Sequence, residues 1–380
     1  MSDARLAIDI GGTFTDVVLE IGDRRVTAKV LTTPSAPETG LMTGVREALT
    51  QASIAPGEIS AVIHGTTLAT NALIERRGAK TAFLTTEGHR DVLEMAHENR
   101  FEQYDVNIDR PEPLVPRWLR LPVRERLNSR GDALVPLDEK SVVATLSVID
   151  EEAVESVAIG FLHAYANRAH EERTAEILSA ARPDLSITLA SETAPEIREY
   201  ERFSTAVANA YVKPLMERYL RRVEADLRAE GFRCPFLLIS SGGGWTTLET
   251  AAKFPIRLVE SGPAGGAVLA AAIAEQRRAR SLLSFDMGGT TAKLCLIDDF
   301  RPKTARSFEV DRSYRFKKGS GLPVIIPVID MVEIGAGGGS IASIDALGRV
   351  QVGPESAGSD PGPVAYGCGG ERPTVTDADV

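Results

Sequence analysis

A chain of 380 residues with 43% apolar and 25% charged residues has the composition of a soluble globular protein of two or three domains. Its net charge of −10 argues against a general binder of nucleic acid or anionic membranes, and no run approaches the ~20 apolar residues that a membrane helix needs. Cys234, Cys295 and Cys368 are odd in number and form no CxxC, and the five histidines form no HExxH, so neither a disulfide scaffold nor an intrinsic zinc site is expected. The amino terminus carries Asp3, Arg5 and Asp9 rather than a signal, which suits a cytoplasmic chain with reduced thiols.

Leu6 to Leu19 reads as two apolar strands joined by Gly11-Gly12-Thr13, with Asp9 entering the turn and Asp16 leaving it. Arg24 to Leu31 reads as a further strand, and Pro34 to Pro37 as a loop. Thr39 to Ala52 has helical spacing, with Leu41, Val45, Ala48 and Leu49 on one face. Ala61 to His64 is a short buried strand running into Gly65-Thr66-Thr67, where a threonine can cap a helix that ends near Arg77. Thr81 to Thr85 is another strand, and this alternation predicts an α/β layer.

From Arg100 to Asp138 the texture changes. Pro111, Pro113, Pro116, Pro122 and Pro136 exclude long helices and predict an excursion from the sheet. Ser141 to Val148 reads as a helix, Ala153 to Phe161 as a strand and Glu171 to Ala181 as a charged, solvated helix. Glu196 to Ala229 is mainly helical, with Pro214 kinking it or starting a new segment. Phe236 to Ser240 is a strand feeding Ser241-Gly242-Gly243-Gly244, and Ser261-Gly262-Pro263-Ala264-Gly265-Gly266 opens a small-residue helix to Ala274 that can pack near a hinge.

The first pattern then returns. Leu282 to Ile297 again places two apolar strands around Asp286-Met287-Gly288-Gly289-Thr290-Thr291, with Lys293 three residues past the turn. Adjacent glycines let backbone approach a ligand closely, and successive amides in such a turn form an anion-binding nest. Magnesium favours one or two carboxylates together with phosphate oxygens, which suits Asp9 and Asp286. Two such hairpins facing each other would grip a nucleoside triphosphate from both sides. One copy alone leaves an ordinary glycine turn open as an alternative; the repetition argues against it. Beyond it, eleven glycines fall between Gly335 and Gly370, a content suited to irregular, ligand-lining loops. The strand-end His64 is open to either a site role or a hydrogen-bonded place in the core.

These motifs resemble the actin, sugar-kinase and Hsp70 type of ATPase, whose halves each open with a phosphate hairpin. The chain is more closely similar to the ATP-dependent hydantoinase/oxoprolinase family, specifically its hydantoinase A-type subunit. The matching stretches are Ile8 to Asp16, His64 to Ala72, Glu201 to Thr205, Asn209 to Pro214, Ser261 to Gly266, Asp286 to Thr291 and Ile334 to Ser340. The resemblance implies an actin-like (ribonuclease H-like) α/β fold, with an ATPase half over 1–275, an insertion around 100–140, and the start of a second half over 276–380. Related subunits continue past the position of Val380 with a later Gly-Gly-Ala-Gly-Pro-like turn of the adenosine site, so an incomplete second half is expected.

The implied activity is ATP-dependent hydrolytic opening of a cyclic amide such as a hydantoin, 5-oxoproline or another lactam, by phosphorylation of the carbonyl oxygen. ATP and Mg²⁺ are the implied cofactors, and a hydantoinase B-type subunit the implied partner in a hetero-oligomer. Asp9 and Asp286 would position Mg²⁺ and water. Gly11, Gly12, Thr13, Gly288, Gly289, Thr290 and Thr291 would hold the phosphates, with Asp16 and Lys293 as further polar candidates. The alternatives are an acetone- or acetophenone-type carboxylase subunit, a non-catalytic nucleotide-binding or assembly module and, last, a small-molecule kinase.

Overall fold

The computed structural model describes residues 4–33, 36–98, 100–314, 317–358 and 360–380. Asp3 and Pro34 lie outside them. The chain opens with strands β1 (Ala4–Ile10), β2 (Phe14–Ile21) and β3 (Arg24–Leu31), helix α1 (Pro37–Ala52), strand β4 (Ile59–Thr66), helix α2 (Leu68–Ile74) and strand β5 (Thr81–Thr86). A short α3 (Val92–Met95) leads to β6 (Arg120–Val123) and the small hairpin β7 (Arg126–Leu127) and β8 (Ala133–Val135). Then come α4 (Glu139–Glu151), β9 (Ser156–Gly160), α5 (Ala169–Ala181), β10 (Ser186–Leu189), α6 (Ala190–Thr193) and the long α7 (Glu199–Ala229). Strands β11 (Phe236–Ile239) and β12 (Trp245–Thr247) precede helices α8 (Leu248–Lys253) and α9 (Ser261–Arg277).

The first sheet is mixed, in the order β12-β11-β4-β1-β2-β3. β1 runs parallel to β4 and antiparallel to β2, so a hairpin and a crossover meet at one strand. Alternation explains the register: Ala4, Leu6, Ile8 and Ile10 are buried, while Arg5, Ala7 and Asp9 face out. Leu41, Val45, Ala48 and Leu49 of α1 pack into the same core from this buried face, as their spacing predicts. The second sheet, β10-β9-β5-β6, is wholly parallel. Every residue of β5 and β9 is buried, as a strand covered on both faces requires.

Two expectations need correction. The proline-rich stretch is not wholly an excursion, because β6 returns to pair with β5 as an edge strand, where Pro122 is tolerated. α7 is not split at Pro214: it is one helix of 31 residues with the proline inside. Its amino-terminal part (Phe203, Ala206, Val207, Ala210) packs in the core of the second sheet, and Val212, Met216, Leu220 and Val223 pack in the core of the first. Burial on both sides of the proline outweighs its lost hydrogen bond, about 3 kcal/mol.

The second hairpin is β13 (Ser281–Met287) and β14 (Ala292–Asp298), extended by β15 (Arg301–Pro302). Short ladders follow: β16 (Thr304–Ala305), β17 (Phe308–Val310), β18 (Leu322–Val324) and β19 (Val328–Ile329). β20 (Met331–Ile334) pairs with β14, and β21 (Ser340–Ile344) pairs with β22 (Val350–Ser356) before the terminal α10 (Val375–Asp379). The glycine-rich stretch therefore holds a regular hairpin as well as loops. α9 joins the first sheet to the sheet of the second hairpin. Ala264 and Ala267 pack with Cys295, Ala271 and Ala274 with Ile297, and Gly265 passes close to Ile239. Among the described residues no helix is long and apolar enough to cross a membrane.

Candidate phosphate-binding cleft between two glycine turns

The two turns are built alike. Gly11 N–H donates to Phe14 O at 2.9 Å, and Gly288 N–H donates to Thr291 O at the same distance. Each turn places its aspartate on the incoming strand, where Asp9 stands opposite Asp16 and Asp286 opposite Lys293. The turns also face each other. Thr13 Oγ1 lies 3.2 Å from the point at which a Cβ would stand on Gly289.

Supports hold each turn from behind. Thr32 Oγ1 donates to Gly11 O at 3.0 Å, and Thr32 N–H donates to Thr13 O at 3.0 Å. On the second turn, Gly338 N–H donates to Gly288 O (2.9 Å) and Gly339 N–H to Gly289 O (2.7 Å). The carbonyl groups of Gly11, Thr13, Gly288 and Gly289 are thus occupied. The N–H groups of Gly12, Thr13, Gly289 and Thr290 make no hydrogen bond among the described residues. Donors with no internal partner, next to satisfied acceptors, make a site that prefers anions.

Asp9 is exposed to this cleft yet hemmed in by backbone. Its Oδ1 lies 2.8 Å from the positions a Cβ would take on Gly65 of β4 and on Gly262 in the first turn of α9. Burial, then the carboxylates of Asp16 and Asp286, push its carboxyl up to about 6, against the pull of the Lys29 ammonium. Asp286 is exposed on β13. Asp16 is held away from a free role by Lys29, whose Nζ donates to both of its oxygens at 2.8 and 2.9 Å. Lys293 Nζ is bound by the Glu260 carboxylate and lies 3.9 Å from Glu333. Among the described residues no three His, Cys, Asp or Glu side chains form a metal cage. Two carboxylates beside phosphate oxygens are the donor set that Mg²⁺ favours, and Asp9 and Asp286 are the carboxylates that would supply it here.

His64 belongs to the core. It is fully buried, with Nδ1 3.2 Å from Ile8 O, Nε2 2.8 Å from the Tyr219 hydroxyl, and its ring stacked on Phe236. Burial pushes the imidazole down to about 4, so it stays neutral at physiological pH. Ser261 is structural too: its hydroxyl donates to Thr66 O and accepts from Thr66 N–H, both at 3.0 Å, tying α9 to β4. Ser240 and Gly242 edge a separate cavity of about 370 Å³ with Trp245 and Phe254. A larger groove of about 690 Å³, lined by Arg182, Arg218 and Arg221, contains none of the cleft residues.

Sequence reasoning missed Lys29 and Glu260, and it missed what Gly65 and Gly262 are for. Both glycines lie in stretches that stand out in the sequence, but their shared contact with Asp9 is visible only once β4 and α9 converge.

Profiles of the hydantoinase/oxoprolinase N-terminal region and of hydantoinase/oxoprolinase match residues 5–181 and 202–380. The chain belongs to the hydantoinase/oxoprolinase family. The alpha subunit of caprolactamase from Pseudomonas jessenii is 38% identical over 99% of this chain and 54% of that protein. The gamma subunit of acetophenone carboxylase from Aromatoleum aromaticum is 33% identical over 98% of this chain and 52% of that one. The crystal structure of the ATP-dependent caprolactamase from Pseudomonas jessenii superposes with a TM-score of 0.81 at 35% identity, covering 99% of this chain and 54% of that one. This family member therefore spans about half the length of these relatives.

Proposed function

We propose that this hydantoinase-family chain carries the phosphate- and magnesium-binding part of an ATP-dependent enzyme that opens a cyclic amide such as a hydantoin, 5-oxoproline or another lactam. The observation that carries the reading is the pair of facing glycine turns, with four unengaged amides and an aspartate on each incoming strand. An amide carbonyl is a poor electrophile. Transfer of the γ-phosphoryl group to its oxygen makes that oxygen a leaving group, after which water opens the ring.

Such transfer depends mostly on positioning and electrostatics. The amides of Gly12, Thr13, Gly289 and Thr290 would bind phosphate oxygens, with Gly11, Gly288 and Thr291 shaping the turns. Asp9 and Asp286 would hold Mg²⁺, which neutralises phosphate charge when bound. Asp16 keeps Lys29 near Asp9, and Lys293 supplies a cation on the second side. A hydantoinase B-type subunit is the proposed partner, in a cytoplasmic hetero-oligomer with residues 1–275 and 276–380 as the two halves around the cleft.

The experiment is ADP release by the purified chain, with and without a B-type subunit, on hydantoin, 5-oxoproline, caprolactam, and acetophenone plus bicarbonate. Release that requires one cyclic amide is the expected result. Release only with the ketone and bicarbonate would transfer the chain to the carboxylase reading, which its likeness to the acetophenone carboxylase subunit keeps open. Silence in every combination would favour an assembly module.

A further inference from the structure

Glu260 precedes α9 with φ at 64°, a left-handed conformation that non-glycine residues adopt at a cost on the order of 1–3 kcal/mol. Its neighbours hold it there. Its N–H donates to Thr70 Oγ1 at 3.1 Å, and its carbonyl accepts from Ala264 N–H at 3.1 Å. This backbone aims the carboxylate across the cleft at Lys293 Nζ on the second hairpin. The two side chains are only 15% and 14% exposed, whereas Glu333, the other carboxylate near Lys293, is 49% exposed. Glu260 is also two residues from Gly262, which touches Asp9. One strained residue thus lies between the first aspartate and the only lysine of the second turn.

We infer that Glu260 is an internal stand-in for phosphate, holding the Lys293 ammonium at the cleft until a bound polyphosphate takes its place. The inference rests on the phosphate reading above. An ammonium is a compact point charge with three rotatable donors, so it exchanges one oxyanion for another with little geometric penalty. Lys293 stands opposite Asp286 in the ladder, at the end of the strand that leads out of the Gly288-Gly289-Thr290 turn. A phosphate seated on the Gly289 and Thr290 amides comes to the same side of the cleft as this ammonium, while Glu260 competes for it from the α9 side. The carboxylate therefore opposes nucleotide binding by occupying the lysine that the phosphate would otherwise engage.

The test is calorimetric titration of the 380-residue chain with the magnesium complex of a β,γ-imido ATP analogue, in wild type, Glu260→Gln, Lys293→Met and the double variant. Glu260→Gln is expected to bind about three- to tenfold tighter, and Lys293→Met about tenfold weaker, as an ion pair largely withdrawn from water allows. With methionine at position 293 the gain from Glu260→Gln is expected to shrink below about twofold, because the competition for the lysine is gone. Glu260→Gly, which relieves the positive φ, is the second variant should the glutamine chain fold poorly, and it is expected to tighten binding as well. A merely structural latch predicts unchanged or weaker binding in Glu260→Gln, and that result, or a gain undiminished beside Lys293→Met, overturns the inference. Wild type that fails to bind the analogue at all removes the phosphate reading itself, and the stand-in with it.

Discussion

Thr13 of the first hairpin comes within 3.2 Å of the space a side chain would fill on Gly289 of the second. Two turns far apart in sequence are thus near neighbours, and each carries unengaged amides. The approach depends on the second turn having no Cβ at that point. It also brings Asp286 near enough to Asp9 to raise its affinity for a proton.

Substituting alanine for Gly65 or Gly262 should separate function from stability. A Cβ at either position would stand 2.8 Å from Asp9 Oδ1, the movable end of a side chain, so the carboxylate swings away and the backbone stays. Neither glycine has a positive φ, and alanine within α9 is worth about 0.5–1 kcal/mol over glycine. Gly262→Ala is expected to keep or slightly raise the melting temperature while substrate-dependent ADP release falls about tenfold or more, since displacing a catalytic group by ~1 Å has such costs. Thermal melts and turnover of both variants check this, and full turnover with a displaced Asp9 would remove that residue from the site.

How far the sequence carried this reading depends on the range of each interaction. The hairpins and the α1 face follow from local alternation and helical spacing, which β1 and α1 show residue by residue. Of the second sheet's four strands, only β5 and β9 were legible as strands. The paired turns stood out because the pattern recurs at Asp286. Pairings between distant segments were not legible. Nothing local tells Glu260 from any other residue before a helix, or marks Lys29 as the partner of Asp16. The exposed Leu283 and Phe285 of β13 were read only as apolar strand residues; that this face of the second hairpin's sheet stays open, with Val332 of β20 also exposed, required the structure.

The pH dependence of Asp9 has a definite sign. Its carboxyl, raised from 3.8 to about 6, favours the fold below about pH 4, and that contribution is lost as pH rises through 6. Asp9→Asn carries no such charge, so it should melt higher than wild type at pH 8 and close to it at pH 4, while ADP release is abolished. Wild-type affinity for Mg²⁺-nucleotide should fall as pH drops below about 6, because a proton then competes for the metal's ligand. Melting curves across this range and Mg²⁺-nucleotide titrations at pH 5 and 7.5 test both statements.

Glu171 offers a stability test far from the cleft chemistry. Fully buried, against the expectation that this charged helix is solvated, it accepts Phe161 N–H at 3.0 Å and Ser191 N–H at 2.9 Å, tying the end of β9 to α6. Burial pushes its carboxyl up to about 7 against these hydrogen bonds. Glu171→Gln turns an amide donor toward one of the two N–H groups and should cost about 1–3 kcal/mol. Because the folded value is raised, the stability from Glu171 is fully present below about 4.5 and lost as pH rises through 7. The substitution should therefore cost more at pH 5 than at pH 8 in denaturant unfolding. The reverse order would mean that the charged form is the favoured one in the fold.

The contact between the glycine-rich loop and the second turn should be far less forgiving than the Asp9 cradle. A Cβ on Gly337 would stand 2.6 Å from the carbonyl carbon and oxygen of Gly289 and from Thr290 N, all of them backbone atoms that cannot swing aside. Gly337→Ala must push the loop off the turn, breaking the bonds from Gly338 N–H to Gly288 O and from Gly339 N–H to Gly289 O. The freed carbonyl groups would then face the cleft, giving acceptors where an anion needs donors. Hydrogen exchange should show the Gly338 and Gly339 amides losing protection while those of β1 and β4 keep theirs, together with loss of nucleotide binding. Gly266→Ala is the control, since a Cβ there meets nothing within 4 Å and α9 gains a better helix former. Normal exchange and binding in Gly337→Ala would mean that the loop is not what holds the second turn in its donor-rich form.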